Sequence, residues 1–226
     1  MSRAALVVFA KAPRARLVKT RLCPPLEPEQ AAALYECMLD DVLEESAAAC
    51  SARACALYVT VHPEDAAASI AQRAPDSARV VVQRGPDLAS RMQYAIAEAA
   101  AAGFGHIVLR GSDSPALPRR RIERAFEALG RFDLAVSRNL DGGYDLLGVR
   151  RPYPRLLDHA MSTDSVANDT LANAERMGLR CRELEPSFDL DTAGDLARLR
   201  EARPQLPAGL CRRTLERLDA EGWWPD

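Results

Sequence analysis

Glycine, lysine and long apolar runs are scarce in this 226-residue sequence, and each scarcity excludes a class of protein. The first of the 12 glycines is Gly85, which excludes a glycine-rich phosphate loop near the N-terminus. No stretch approaches the roughly 18 consecutive apolar residues of a membrane-spanning helix. The apolar segment 6–10 is too short for a signal peptide and is followed by Lys11. We therefore expect a cytoplasmic protein.

Cysteine spacing and net charge exclude further classes. None of the six cysteines shows the Cys-x-x-Cys spacing of zinc and redox sites, so we expect reduced thiols. A formal net charge of −2 gives no reason to expect a nucleic acid as a partner. The length is typical of one domain. We expect a single domain over 1–226, with a C-terminal helix over 207–224 packed as an appendage, and leave a homodimer open.

Apolar runs alternate with segments of helical periodicity along most of the chain. Strands are predicted at 4–10, 56–61, 79–83, 106–109 and 134–137, and helices at 28–49, 63–73, 88–102 and 118–129. After these come a strand at 144–149 that runs back beside its neighbour, a helix at 163–177, a strand at 179–184, and helices at 192–202 and 209–221. This order predicts a three-layer α/β/α fold with a mostly parallel mixed sheet. In such sheets, ligands bind at the carboxyl ends of the strands.

The loop after the first strand concentrates positive charge. Only two of the 30 basic residues are lysines, and both lie in this loop. Its cations are Lys11, Arg14, Arg16, Lys19 and Arg21. Five cations at the carboxyl end of a strand would bind a diphosphate strongly. The alternative is a solvated basic loop.

Carboxylates follow two other strands. Asp113 comes directly after the fourth strand and is well placed to hold a divalent cation, although it could instead be a turn or N-cap residue. Asp189 and Asp191 are two residues apart, so on an extended backbone they face the same side. We take Asp191 as the better metal candidate, because Asp195 fits a capping box with Thr192.

Two further loops offer candidates. Paired glycines in the segment Asp141-Gly142-Gly143-Tyr144 allow a ligand to approach the backbone closely, although Asp-Gly is also a strong hairpin signal. Arg91, which follows the third strand, could face a ligand or be an ordinary charge on a helix surface.

Four ordered motifs resemble a bacterial family of glycosyltransferases of the arsenosugar-biosynthesis type. They are Phe-Ala-Lys-x-Pro with Val-Lys-Thr-Arg-Leu (9–22), Gly-Ser-Asp-x-Pro-x-Leu (111–117), Asp-Gly-Gly-Tyr-x-Leu-x-Gly (141–148) and Asp-x-Asp-Thr-x-x-Asp-Leu (189–196). The family is similar to nucleotide-diphospho-sugar transferases of the A-type glycosyltransferase fold. It more distantly resembles the molybdenum-cofactor and phospholactate nucleotidyltransferases.

The resemblance implies a role for each matching residue. Lys11, Lys19 and Arg21 would contact nucleotide phosphates, and Arg91 would lie near the nucleotide. Asp113 would hold Mg²⁺ or Mn²⁺, with Asp191 as a second ligand. Gly142, Gly143 and Tyr144 would face the sugar or a small-molecule acceptor. A base such as Asp141 or Asp191 would take the acceptor proton.

Three functions stay open, and a departure from the family pattern motivates the third. The family loop reads Pro-Gly where this chain has Ala15-Arg16, and Arg16 would replace a backbone contact to phosphate with a charge. The first hypothesis is metal-dependent glycosyl transfer from a nucleotide sugar. The second is nucleotidyl transfer from a nucleoside triphosphate with release of pyrophosphate, against which the missing N-terminal glycines argue. The third is a nucleotide-binding protein without catalysis.

Overall fold

A central seven-stranded sheet with helices on both faces forms the protein, and it confirms the predicted fold class. The computed structural model describes residues 3–161 and 163–225. The strands are β1 (Arg3–Lys11), β2 (Ala56–His62), β3 (Ala78–Val82), β4 (Phe104–Gly111), β5 (Leu134–Asn139), β6 (Tyr144–Val149) and β7 (Cys181–Ser187). The helices are α1 (Pro28–Arg53), α2 (Ala67–Arg73), α3 (Leu88–Ala101), α4 (Arg119–Ala128), α5 (Val166–Arg176), α6 (Ala193–Ala202) and α7 (Arg212–Glu221).

The strand order is β3-β2-β1-β4-β6-β5-β7. All neighbouring pairs are parallel except those that β6 makes with β4 and β5, which are antiparallel. The strand predicted to run back beside its neighbour is thereby confirmed. β1 is central because its continuous apolar run is buried on both faces, as in parallel sheets generally.

Helices cover the two faces with separate apolar clusters. On one face, α1, α2 and α4 pack over alternate strand residues such as Leu6, Val8 and Val108. On the other face, α3 and α5 cover residues such as Val7, Ile107 and Leu147. A third cluster joins α6 and α7 to the N-terminal turns of α1. None of the helices described is long and apolar enough to cross a membrane.

Several predicted boundaries differ from the structure, and three of them have a clear local reason. α1 continues through its alanine-rich end to Arg53 and stops where Ala54 adopts a left-handed conformation. α5 begins at Val166 rather than residue 163, because the hydroxyls of Thr163 and Ser165 hydrogen-bond to each other in a turn. β7 does not begin at Leu179, whose backbone N–H donates to Ala174 O and closes α5 instead.

Candidate functional site

A cavity of about 720 Å³ lies where the carboxyl ends of the parallel strands meet. Its lining includes most of the predicted site residues: Lys11, Arg21, Arg91, Asp113, Asp141, Gly143, Tyr144 and Asp191. Three predicted residues, Arg16, Lys19 and Gly142, are not among the described residues that line it. The topology has thus brought five separate segments, which follow β1, β3, β4, β5 and β7, to one edge of the sheet.

Lys19 lies beneath the cavity and joins two of its carboxylates. The Lys19 side chain is 2% exposed, and its Nζ is 2.5 Å from Asp113 Oδ1 and 2.7 Å from Asp191 Oδ1. Burial alone would lower the pKa of Lys19, but the two carboxylates outweigh burial and raise it. Burial would likewise raise the pKa of Asp113, but Lys19 outweighs it and lowers that pKa. The lysine predicted to contact phosphate is an internal ion-pair partner in this structure.

Tyr35 on α1 fixes the start of the basic loop. Its side chain is fully buried, and its hydroxyl accepts a hydrogen bond from the Lys11 backbone N–H at 3.0 Å. The same hydroxyl lies 2.7 Å from Ser112 Oγ. A buried phenol therefore links the end of β1 to the loop that carries Asp113, which the helical periodicity of α1 did not reveal.

Arg110 holds the loop that carries Asp113 from below. Its side chain is buried, and it donates to the backbone carbonyls of Ser114 at 3.0 Å and Leu117 at 3.4 Å. Two further bonds reach Val42 O and Ser46 Oγ on α1. Burial lowers the pKa of this guanidinium to about 10. Because the loop carbonyls are fixed by charged donors, Asp113 leaves the sheet in a defined direction.

Asp189 and Asp191 follow β7 and meet Asp141 from the hairpin between β5 and β6. One carboxylate oxygen from each of the three lies within 4.8 Å of the others. Asp189 accepts a hydrogen bond from Ser114 Oγ. Burial, followed by the nearby charge of Asp113, raises the pKa of Asp189 to about 7. The capping box predicted for Thr192 and Asp195 is confirmed, so Asp195 serves the start of α6.

The donor set at this edge suits a hard divalent cation. Asp113, Asp141, Asp189 and Asp191 offer only carboxylate oxygens, which Mg²⁺ and Mn²⁺ prefer. The predicted ligands Asp113 and Asp191 already share the Lys19 ammonium, so both of their carboxylates point toward one position. The residues present therefore fit a divalent cation, and metal binding by Asp113 and Asp191 stays a prediction.

The two glycines of the predicted acceptor segment differ in role. Gly142 has φ +92°, and a Cβ there would lie 1.8 Å from the carbonyl oxygen of Asp164. Only glycine fits this position. Gly142 O accepts from the Ala167 backbone N–H at 3.0 Å and so ties the hairpin to α5. Gly143 lines the cavity, and its N–H donates to Asp141 Oδ1 at 2.9 Å.

Arg91 and Arg16 occupy contrasting places. Arg91 lies on the first turn of α3, lines the cavity and donates through Nε to Gly85 O at 3.1 Å. Arg16 is exposed and has φ +65°, a left-handed conformation that glycine adopts at lower cost. The glycine that the family resemblance led us to expect at position 16 suits this conformation. A contact between Arg16 and phosphate stays a prediction.

Sequence analysis did not single out Asp145, Arg110 or Tyr35. Asp145 interrupts the apolar strand β6, is 2% exposed, and both of its carboxylate oxygens lack a hydrogen-bond partner within 3–161 and 163–225. Burial raises its pKa to about 6. Arg110 likewise interrupts the apolar strand β4. A charged residue inside an otherwise buried strand is the signal that would have found both of them.

One solved structure matches the chain along nearly its whole length. It is a protein of Desulfovibrio desulfuricans G20, provisionally assigned as a nucleotide-diphospho-sugar transferase. The two chains share 28% sequence identity with a TM-score of 0.85, and the alignment covers 97% of this chain and 96% of the other.

Cytidylyltransferases share the fold at lower identity. A cytidylyltransferase of Leptospira borgpetersenii has a TM-score of 0.58 at 14% identity, with 99% of this chain and 96% of the other covered. The 4-diphosphocytidyl-2C-methyl-D-erythritol synthase of Anaerococcus prevotii has a TM-score of 0.59 at 8% identity, with 90% and 99% covered. At these identities the likeness concerns the fold alone.

Sequence comparisons define the family. No curated protein matches the sequence. A family profile described as "Uncharacterized protein conserved in bacteria (DUF2064)" matches residues 45–163, which are 119 of the 226 residues. This segment includes β4 with the loop that carries Asp113, and the hairpin with Asp141. Because the match spans more than half of its length, the chain belongs to the bacterial DUF2064 family.

Proposed function

We propose that this protein is a transferase that moves a sugar from a nucleotide-diphosphate donor to a small-molecule acceptor. One observation carries the proposal: a single cavity at the sheet edge is lined both by the cations Lys11, Arg21 and Arg91 and by a group of carboxylates. A nucleotide sugar needs both, because its diphosphate requires positive charge and its acceptor hydroxyl requires a base.

The donor half of the cavity would be the end formed by β1, β2 and β3. Lys11 is exposed at this end and would contact the diphosphate oxygens together with Arg91, while the exposed Arg21 would reach them from beside Asp191. Asp113 and Asp191 would hold Mg²⁺ or Mn²⁺. That cation, when bound, would neutralise charge on the departing diphosphate.

The acceptor half would lie along the hairpin between β5 and β6. Asp141 is exposed, and its Oδ1 is already oriented by the Gly143 N–H. Its carboxylate would take the proton from the acceptor hydroxyl as the acceptor oxygen bonds to the anomeric carbon. The bond from that carbon to the diphosphate oxygen breaks, and the nucleoside diphosphate leaves. Gly143 and Tyr144 would border the sugar or the acceptor.

The likeness to the Desulfovibrio protein supports this proposal, and so do the four motifs. The narrower assignment to arsenosugar biosynthesis belongs to the proposal as well and rests on the motif resemblance. Nucleotidyl transfer is the competing reaction, since cytidylyltransferases share the fold. The absence of glycine before Gly85 favours glycosyl transfer over it.

Product analysis separates the two reactions. The purified protein would be incubated with Mg²⁺ or Mn²⁺, with a panel of nucleotide sugars or nucleoside triphosphates, and with small hydroxylated acceptors. Release of a nucleoside diphosphate from one nucleotide sugar would support the proposal. Release of pyrophosphate from a triphosphate would replace it with nucleotidyl transfer, and no turnover or binding with any donor would contradict both.

A matched pair of variants tests the site. We expect Asp113→Asn to lower turnover by about 100-fold or more, because the variant would lose a ligand to the cation that stabilises the departing diphosphate. Asp65→Asn is the control, since Asp65 is exposed and pairs with Arg14 away from the cavity. Equal activity of the two variants would remove Asp113 from the proposed site.

A further inference from the structure

Asp113 and Asp191, the proposed ligands of a divalent cation, already form ion pairs with a lysine of the same chain. Lys19 Nζ lies 2.5 Å from Asp113 Oδ1 and 2.7 Å from Asp191 Oδ1. Its side chain is 2% exposed, whereas Lys11 is exposed at the rim of the cavity. The ammonium therefore lies at the position toward which both carboxylates point.

The surroundings keep Lys19 in this position. Its backbone is left-handed, with φ 50° and ψ 34°, and this conformation turns the loop inward just before residues 20–22. The ring of Tyr35 lies 5.9 Å from Nζ, and the hydroxyl of the same tyrosine contacts Ser112 Oγ beside Asp113. Three elements thus converge on one ammonium group.

The charge balance leaves the pair attractive to a second cation. Two carboxylates and one ammonium sum to a net charge of −1. A divalent cation bonded to the same oxygens at about 2.1 Å would stand close to the ammonium, and the two positive charges would repel each other strongly in a buried site. Lys19 and the divalent cation cannot both occupy the position between Asp113 and Asp191.

We infer that the Lys19 ammonium is a resident cation which a divalent metal ion must displace from Asp113 and Asp191. This inference rests on the proposed function for the identity of the metal ligands. The displaced ammonium lies on the loop whose cations Lys11 and Arg21 line the cavity, so a bound diphosphate would offer it new oxygen partners. Metal and diphosphate would therefore bind cooperatively, each raising the affinity of the other by the same factor.

The chain's composition permits a direct test. Lysines occur only at positions 11 and 19, so protein labelled selectively with ¹⁵N-lysine gives two side-chain signals by NMR. A Lys11→Arg variant identifies the signal of Lys19. We expect this signal to be protected from exchange with water in metal-free protein. It should shift and lose protection when Mg²⁺ and inorganic pyrophosphate are added together. A Lys19 signal that stays unchanged and protected at saturating Mg²⁺ and pyrophosphate would overturn the inference.

Metal affinity supplies a second test that needs no turnover. Mn²⁺ binding would be measured by electron paramagnetic resonance for the wild type, Lys19→Met and Lys11→Met. If Lys19 occupies the site in nearly all molecules, its removal should raise Mn²⁺ affinity about tenfold or more. Lys11→Met controls for the loss of one positive charge near the cavity and should show a much smaller gain. Equal gains in the two variants, or weaker Mn²⁺ binding by Lys19→Met, would contradict competition.

The outcome of these binding measurements does not depend on whether the proposed function is correct. Displacement of Lys19 by Mg²⁺ and pyrophosphate would stand even if no sugar were transferred. Conversely, if sugar transfer were confirmed while the Lys19 signal did not change, the proposed function would stand and the displacement of Lys19 would be overturned. Should Lys19→Met fail to fold, the NMR titration of the wild type still decides the question.

Discussion

At the residue scale, single buried polar groups set the geometry of the cavity. Tyr35, Arg110, Asp145 and Lys19 are each at most 8% exposed, and each lies within or just below the loops of the site. A buried polar group with partners stabilises the fold, and its removal leaves those partners without a bond, whereas a buried charge without a partner destabilises it. Their loss should therefore appear as altered stability as well as altered chemistry.

Tyr35→Phe removes one such group with little change in shape. We expect the free energy of unfolding to fall by about 1–3 kcal/mol, because the Lys11 N–H and Ser112 Oγ lose their buried partner. Urea denaturation followed by circular dichroism measures the change. Tyr94→Phe is the matched control, since the Tyr94 hydroxyl accepts from Arg84 near the surface. A loss for Tyr94→Phe as large as that for Tyr35→Phe would contradict the assignment.

Asp145 predicts a pH dependence of stability. Burial raises the pKa of the folded carboxyl to about 6, while the unfolded value is near 3.9. Between these two values the folded state holds a proton that the unfolded chain has released, so the free energy of unfolding falls as pH rises. The penalty is complete above about pH 6 and amounts to roughly 3 kcal/mol.

Asp145→Asn removes this penalty. The free energy of unfolding of the variant should exceed that of the wild type by an amount that grows by about 2–3 kcal/mol from pH 4 to pH 7. Urea denaturation at each pH measures this difference. The exposed residue Asp76 supplies the control Asp76→Asn, which should follow the pH profile of the wild type. A stability difference between Asp145→Asn and the wild type that does not change with pH would show that burial does not hold the proton on Asp145.

At the scale of elements, helices depend on groups that lie far away in the sequence. The first turn of α7 has no side-chain cap from Cys211. Instead, Asp41 of α1 accepts from the Thr214 N–H at 2.9 Å, the Arg213 N–H at 3.1 Å and Thr214 Oγ at 2.7 Å. A carboxylate at a helix N-terminus also complements the helix dipole. α1 therefore serves as the cap of α7.

Substitution of neighbouring aspartates tests this cap. Asp41→Ala should lower the free energy of unfolding by about 2–3 kcal/mol, since several bonds to a buried charge are lost. Asp40→Ala removes only a partly exposed pair with Arg73 and should cost at most about 1 kcal/mol. Thermal and urea denaturation of the two variants give the comparison. Equal losses would show that the contact with α7 contributes nothing beyond an ordinary surface pair.

At the scale of the whole molecule, the last helix completes a cluster that includes the start of α1. Leu210, Leu215 and Leu218 are buried against residues such as Leu34 and Leu199. Burying each leucine contributes roughly 1.5–3 kcal/mol, so the three together approach the net stability of an ordinary domain. If 207–224 were only an appendage, as the sequence predicts, a chain without this helix would keep most of its stability.

Deletion of residues 207–226 distinguishes the two views. We expect the shortened protein to lose its cooperative thermal transition in circular dichroism, because the third cluster is opened to water. Arg217→Ala, which alters only a partly exposed residue of α7, should melt close to the wild type. A truncated protein that melts near the temperature of the full chain would establish the helix as a detachable appendage.

Much of the fold was predictable because local patterns and global topology agree. The apolar run of β1 and the periodicity of α3 and α4 each indicate one structure without ambiguity. Boundaries were less predictable where a turn or a tertiary bond intervened. Leu179 is one example, since its N–H completes α5 rather than continuing β7.

The sequence by itself determined the alternation of strands and helices, the antiparallel strand at 144–149, and the five segments that meet at one sheet edge. The alternation of strands and helices made that meeting predictable, because it indicates parallel strands, whose carboxyl ends share an edge. Only the tertiary structure decided which charges meet there. Lys19 and Asp191 are 172 residues apart and yet form one ion pair, while Arg16, three residues from Lys19, does not line the cavity. The position of a residue in the sequence shows which loop its side chain belongs to. Its direction and partners depend on packing between distant segments, which local sequence patterns do not record.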